Sequence, residues 1–154
     1  MAGIICSAST PEIALAAATA KTVAQLKSLA NQRLKLIKWG ISFDGVSPSA
    51  EPVQVRLLRQ TTVIGGTPTA VTPVKINIGS ETIQSTFAYS AGGSEPTASD
   101  VLDVKEVHPQ SGYECIFPLG QEIIVTGGAS VSYLGIECTA PAVVNVRAVM
   151  WWEE

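Results

Sequence analysis

His108 is the only histidine in the chain, so any site that needs two imidazoles is excluded at the outset. Asp100, Asp103, Glu106 and His108 fall in one stretch and have the residue types of a metal or acid–base site. Strand alternation puts Asp103 on one face and Asp100, Glu106 and His108 on the other, so the set does not converge. A solvated strand face, with a loop histidine before Pro109, is the expectation, because charged side chains are mostly exposed. A Ser–His–Asp triad would need the same histidine, and no Gly-x-Ser-x-Gly elbow is present to hold a nucleophile. Ala91-Gly92-Gly93-Ser94 and Gly65-Gly66 lack the lysine and the strand-then-helix context of a phosphate loop, and read as turns. Carboxylate pairs for glycoside hydrolysis can lie far apart in a chain, and nothing here singles one out. The expectation is a protein with no catalytic residue, no metal ligand and no cofactor.

The three cysteines, Cys6, Cys115 and Cys138, contain no Cys-x-x-Cys pair and leave one thiol over in any disulfide scheme. Cys115 and Cys138 lie in strand patterns, where a reduced, buried, inert thiol is expected. No Lys or Arg precedes Lys21 and the early apolar runs are short, so no signal peptide is evident. No run approaches the ~20 apolar residues of a membrane span. Folding in a reducing cytoplasm is the expectation.

The elements that could position side chains are strands. The 154 residues suit one domain; 46% are hydrophobic and only 15% charged, with 13 Gly and 9 Pro supplying turns. The net charge of −3 has the wrong sign for a phosphate-binding surface, which argues against nucleic acid. So sparsely charged a chain suggests a surface partly covered by other protein.

The C-terminal stretch Ser130–Trp152 organises the rest. Leu134, Ile136 and Cys138 share one face against Tyr133, Gly135 and Glu137. After Ala140-Pro141-Ala142, Val144, Val146, Ala148, Met150 and Trp152 face one way, and Asn145, Arg147, Val149 and Trp151 the other. A period of two marks a pair of half-buried strands, with Leu134, Ile136, Val144, Val146, Ala148 and Met150 in the core. Trp152 joins the core face, while Trp151 points outward as an interface anchor.

Earlier, residues 1–12 read as an uncharged N-terminal arm and residues 13–154 as the single folded domain. The arm carries Ile4 and Ile5 among small residues, and is expected to order on a neighbouring subunit rather than remain a frayed tail. Ile13–Ala30 is ambiguous between helix and strand, with an extended strand over Ala20–Leu29 favoured. Arg33–Phe43 is a strand whose apolar phase slips from Leu34 and Leu36 to Ile37, Trp39, Ile41 and Phe43; a bulge near Leu36-Ile37 would restore one inward face, and burial on both sides would equally account for the pattern. Val53–Arg59, Val74–Ile78, Thr86–Tyr89, Val101–Val107, Tyr113–Phe117 and Glu122–Thr126 follow, with Thr61–Thr72 and Ser90–Ser99 as loops. Roughly eight to ten antiparallel strands with frequent turns describe an all-β chain, a β-sandwich or barrel.

Trp39-Gly40-Ile41-Ser42-Phe43-Asp44-Gly45, Phe117-Pro118-Leu119-Gly120-Gln121-Glu122 and Leu134-Gly135-Ile136-Glu137-Cys138-Thr139-Ala140-Pro141-Ala142 resemble segments of small proteins from the heads of tailed bacteriophages. With Val144-Asn145-Val146 and the acidic C-terminus, the resemblance runs from about Leu34 to the end. It is to the jelly-roll decoration, or cement, proteins, and it implies an antiparallel jelly-roll-like sandwich on the outer capsid surface of the virion, commonly trimeric. The implied partners are the major capsid protein and further copies of the chain, with no nucleic acid and no membrane. Ile4, Ile5, Trp39 and Trp151 are the candidate interface residues. A lectin-like sandwich binding sugars through Tyr89 and Tyr113, or another tail or fibre-base part of the virion, are the competing expectations.

Overall fold

The computed structural model describes residues 3–47, 50–128 and 133–154; Met1 and Ala2 of the expected arm, Pro48 and Ser49, and the first residues of the Ser130–Trp152 stretch lie outside them. Among the described residues there is no helix. In chain order the strands are β1 (Ile5–Ser9), β2 (Ile13–Leu15), β3 (Ala20–Lys27), β4 (Arg33–Phe43), β5 (Val53–Gln60), β6 (Pro68–Val71), β7 (Val74–Lys75), β8 (Thr86–Ser90), β9 (Ala98–Val107), β10 (Gly112–Ile116), β11 (Ile123–Thr126), β12 (Tyr133–Thr139) and β13 (Val144–Glu153).

Two antiparallel sheets pack face to face as a β-sandwich. The first sheet runs β10-β4-β13-β1-β7, with β11 also on β4 and β2 also on β13; the second runs β6-β8-β3-β12-β5-β9. β13 forms the middle of the first sheet because its alternation holds without a break. Val144, Val146, Ala148, Met150 and Trp152 are buried, while the residues between them are partly or fully exposed. Leu134, Ile136 and Cys138 of β12 face them from the second sheet. Trp152 stacks on Phe87 of β8 across the core, with ring centroids 6.1 Å apart, and its indole N–H donates to Ser85 Oγ at 2.9 Å.

The phase slip in β4 is a bulge. Trp151 pairs with Lys38 and Trp152 with Leu36, leaving Ile37 as the extra residue. One added residue turns Leu34, Leu36, Trp39 and Ile41 to the same buried side. β3 has a similar shift, with Ile136 opposite Ala24 and Glu137 opposite Thr22.

Residues 5–9 correct the expectation of an arm. They form β1, paired with β13 from Ile5↔Glu153 to Ser9↔Val149 and with β7 on the other side. Cys6 and Ala8 alternate into the core while Ser7 and Ser9 face out. Ile4 and Glu154 exchange backbone hydrogen bonds of 2.9 Å in each direction. The arm's own chain offers it an open sheet edge, so its backbone groups are satisfied there without a neighbour. The loop expected over Thr61–Thr72 likewise contains β6, and the strand expected over Val74–Ile78 shortens to Val74–Lys75.

Candidate docking face

The two outer faces of the sandwich differ. The outer face of the second sheet is closed in part by its own loops, while Val101 and Val104 of its edge strand stay exposed. Gln25 and Gln60, at outward positions on β3 and β5, are buried beneath residues 61–66 and 91–97. Gln25 Nε2 donates to Gln60 Oε1 (2.7 Å) and to the Thr62 carbonyl (3.0 Å), and Gln25 Oε1 accepts the Ile64 amide (3.1 Å). Glu95 accepts the Thr22 amide at 2.6 Å, and the Gly65 amide donates to the Ser94 carbonyl at 3.0 Å. The Gly-Gly pairs are the contact between the two loops: a Cβ on Gly93, whose φ is +117°, would lie 2.6 Å from the Gly65 oxygen. These buried polar groups are therefore paired, and Ile64 of the covering loop and Leu58 of β5 are buried with them. Beside them Arg56 forms an ion pair with Glu137, its Nε donating at 2.9 Å.

The outer face of the first sheet has no such cover among the described residues. Strand register lays Val74, Ser7, Trp151, Lys38 and Ile116 side by side across it. Val74 is 58% and Ile116 63% exposed, and Trp151 is half-buried. Lys38 Nζ sits 5.0 Å from the centre of the Trp151 ring and 2.5 Å from Glu114. One row along, Ile5 lies opposite Glu153, and the Ile76 amide donates to the Ile5 carbonyl at 2.8 Å. The result is an apolar band with an aromatic residue at its middle.

Beside the band the face sinks into a trough of about 470 Å³. Ser9, Gly40, Ser42 and Gly112 floor it, because residues without bulk at outward positions leave room above the sheet. Arg147 and Glu114 stand at its sides. Three cations of this face have acidic partners: Lys35 with Glu153 at 3.0 Å, Lys38 with Glu114, and Arg147 with Glu12 at 3.6 Å. The Lys35 hydrogen bond, helped by the Gly3 amide, holds the Glu153 carboxyl below its ordinary range. In each of these pairs the two charges offset one another within the face.

Of the four candidate interface residues, Ile5 and Trp151 stand diagonally adjacent on this face. Trp39 and Ile4 do not belong to it. Trp39 is wholly buried against Tyr113, ring centroids 5.2 Å apart, because the Ile37 bulge rotates it inward; Ile4 packs against the core beside the C-terminus. Val74 and Ile116 were missed. They sit in short edge strands, and only the pairing with β1 and β4 puts them in line with Trp151.

The acidic stretch near His108 is spread out. Asp103 pairs with Lys105 at 2.8 Å, Glu106 accepts from Gln54 at 3.3 Å, and His108 Nδ1 accepts the Gln110 amide at 3.2 Å. Register shifts in β9 place Asp100 opposite Arg59 and Asp103 opposite Leu57, so these two share the inward side instead of dividing as alternation predicts. Among the described residues no three His, Cys, Asp or Glu side chains gather as metal ligands. Tyr89 and Tyr113, the loop aromatics of the lectin expectation, both pack against the core. No protein-family model, curated protein or solved structure matches the chain.

Proposed function

We propose that the protein is a structural docking module, a head decoration protein that binds the outer lattice of a tailed-phage capsid through the uncovered face of its first sheet. The observation that carries this reading is the contrast between the two faces. One is covered over β3 and part of β5 by loops and a satisfied glutamine network, leaving Val101 and Val104 exposed on its edge strand, and the other exposes Val74 and Ile116 beside half-buried Ile5 and Trp151 across its middle. Interfaces are built around aromatic and aliphatic anchors within a more polar rim. Here Trp151 is the anchor and the Lys38–Glu114 and Lys35–Glu153 pairs form the rim. The resemblance of the Trp39–Gly45, Phe117–Glu122 and Leu134–Ala142 segments to capsid cement proteins supplies the partner, the major capsid protein.

In this reading the module bridges capsomers and opposes the outward push of packaged DNA. Each copy contributes modestly, because several linked copies raise the effective concentration of every further contact. Binding only the assembled lattice stabilises that state by mass action. The test uses heads from a phage deleted for this gene, mixed with purified protein and sedimented. Wild-type protein should co-sediment to saturation. Val74→Asp and Ile116→Asp, both at exposed positions, should weaken binding at least about tenfold, the loss expected for an apolar side chain removed from an interface. A change on the other sheet, Gln54→Ala, should leave it intact. Binding unaffected by Val74→Asp, Ile116→Asp and Trp151→Ala together would refute the assignment of this face.

A further inference from the structure

Of the three aspartates and three asparagines in the chain, only Asp44 is followed by glycine. An Asp–Gly bond is unusually open to spontaneous isomerisation, because glycine has no side chain to hinder attack by its own main-chain nitrogen. That nitrogen attacks Cγ of the neutral carboxyl group. The N–Cγ bond forms, a carboxyl oxygen leaves as water, and a succinimide ring results. Water then opens the ring, and opening at the main-chain carbonyl leaves an isoaspartyl linkage with one extra methylene in the backbone. The overall change is an isomerisation, with water its only co-reactant.

The fold calls for both residues of this pair where β4 ends. Beyond the last register pair, Phe43↔Val146, the Asp44 amide donates to the Asn145 carbonyl at 3.3 Å, and Asp44 Oδ1 accepts the Asn145 amide at 2.9 Å. The aspartate side chain thereby satisfies a backbone donor of β13. Gly45 passes so close to the β9–β10 connection that a Cβ on it would lie 2.6 Å from Pro109 Cβ and 2.7 Å from the Pro109 oxygen. A carboxylate is used at 44 and a side chain is excluded at 45, so the vulnerable pair is built in.

Hydrogen bonds restrain both reacting groups. The Gly45 amide donates to the Pro109 carbonyl at 2.8 Å, which ties the attacking nitrogen to the β9–β10 connection. Asn145 holds the carboxylate at both oxygens, its amide on Oδ1 and its Nδ2 on Oδ2 at 2.8 Å. These bonds, the side-chain one foremost, keep the Asp44 carboxyl below its ordinary range, in the ionised form that loses an oxygen least readily. Asn145 Nδ2 also donates to Glu12 Oε1 at 3.0 Å, and Glu12 pairs with Arg147 at 3.6 Å, so the amide is itself held in place. Asp44 is exposed, so water for the second step is at hand and the restraint falls on the first. We infer that Asp44-Gly45 is a site of spontaneous covalent modification, and that Asn145 is the positioning residue that slows isoaspartate formation there in the folded protein. The inference does not depend on the docking face.

The test is prolonged warm incubation of the full-length protein in mildly acidic buffer, with isoaspartate at residue 44 measured by chromatography and fragmentation of the proteolytic peptide. Wild type is followed both native and unfolded in urea, beside Asn145→Ala, Glu12→Gln and Asp44→Glu, with circular dichroism to show that each variant is folded. Native wild type should isomerise at least about tenfold more slowly than the unfolded chain, because several hydrogen bonds break together on unfolding. Asn145→Ala should isomerise at least about threefold faster than native wild type, the effect of losing one modest hydrogen bond. Glu12→Gln disturbs the same corner but keeps the Asn145–Asp44 bonds, and should match wild type. Asp44→Glu cannot close the five-membered ring and should give no such isomer. If Asn145→Ala does not fold, Asn145→Val, suited to a strand, takes its place with the same expectation. Native wild type that isomerises as fast as the unfolded chain overturns the inference. So does a folded Asn145 variant that matches native wild type, or Glu12→Gln as fast as Asn145→Ala, which would make a loosened corner the cause.

Discussion

Replacing Gln25 with Leu tests the idea that the second sheet's outer face is closed by a polar network. Gln25 is 3% exposed and Gln60 is fully buried, and one amide side chain holds three partners. Leucine fills a similar space but leaves the Ile64 N–H and the Gln60 Oε1 buried without partners. At about 1–3 kcal/mol for each buried group left unsatisfied, the cost is roughly 2–5 kcal/mol. The loop could lift instead to let water reach these groups. Ile64 and Leu58 would then lose their cover, at roughly 1.5–3 kcal/mol for each large aliphatic side chain. Either route lowers the Tm by about 5–15 °C in a chain of this size. Thermal unfolding by circular dichroism measures the shift, and hydrogen exchange at the Ile64 amide tells whether the loop has lifted. Gln54→Leu, which breaks only an exposed contact to Glu106, is the control and should stay within about 0.5 kcal/mol. A Tm change under about 2 °C for Gln25→Leu, with Ile64 still protected, would refute the reasoning, since a change of 1 kcal/mol alone should exceed it.

Deleting residues 2–10 should lower the Tm by at least about 4 °C, the shift that ~1–2 kcal/mol produces, because it strips β1 from β13; an unchanged Tm in calorimetry would mean the segment is only a tail. Native protein treated with a thiol reagent at pH 8 should react quickly at Cys115 alone, which is half-buried. Burial, the main cause, raises the Cys6 thiol to about 11, and Cys138 is raised as well, so both should react only on unfolding. Glu153, whose carboxyl the Lys35 hydrogen bond holds low, contributes stability above the ordinary glutamate range and loses it as pH falls through its folded value. The Tm gap between wild type and Glu153→Gln should be open at pH 7 and narrow below about pH 4.3.

Patterns within single strands were legible in the sequence, and features that depend on distant pairing were not. β13 alternates without interruption, and its faces follow directly from that. The β4 bulge was visible because Leu34 and Leu36 fall out of phase with Trp39 and Ile41, and one extra residue is the simplest repair. β1 was hidden for a physical reason: Ile5–Ser9 contains small residues with little strand preference, and it becomes a strand through pairing with the far end of the chain. The buried glutamines were hidden because a polar residue at an outward position reads as solvated. The available hint was Gly135, where a Cβ would fall 2.4 Å from Gln60 Oε1. In β9 the edge bulges changed which acidic residues share a side, and nothing in the local composition marks them.

Edge protection and the uncovered face point to contacts of different kinds. A ten-residue strand such as β9, paired on one side only, would ordinarily invite another chain to extend the sheet. Its register shifts, and Lys105 turned in towards the Tyr113 ring at 5.6 Å, both spoil that edge as a template. The opposite end of the first sheet is blunted differently, by β7, only two residues long. With these edges discouraged, the proposed docking would use side chains rather than backbone ladders. Apolar side chains are what the molecule leaves exposed: Val74 and Ile116 beside half-buried Trp151 on the uncovered face, and Leu119 on its turn. In the proposed docking, contacts of that kind would bury discrete apolar groups without merging sheets, so each sandwich would remain a separate fold.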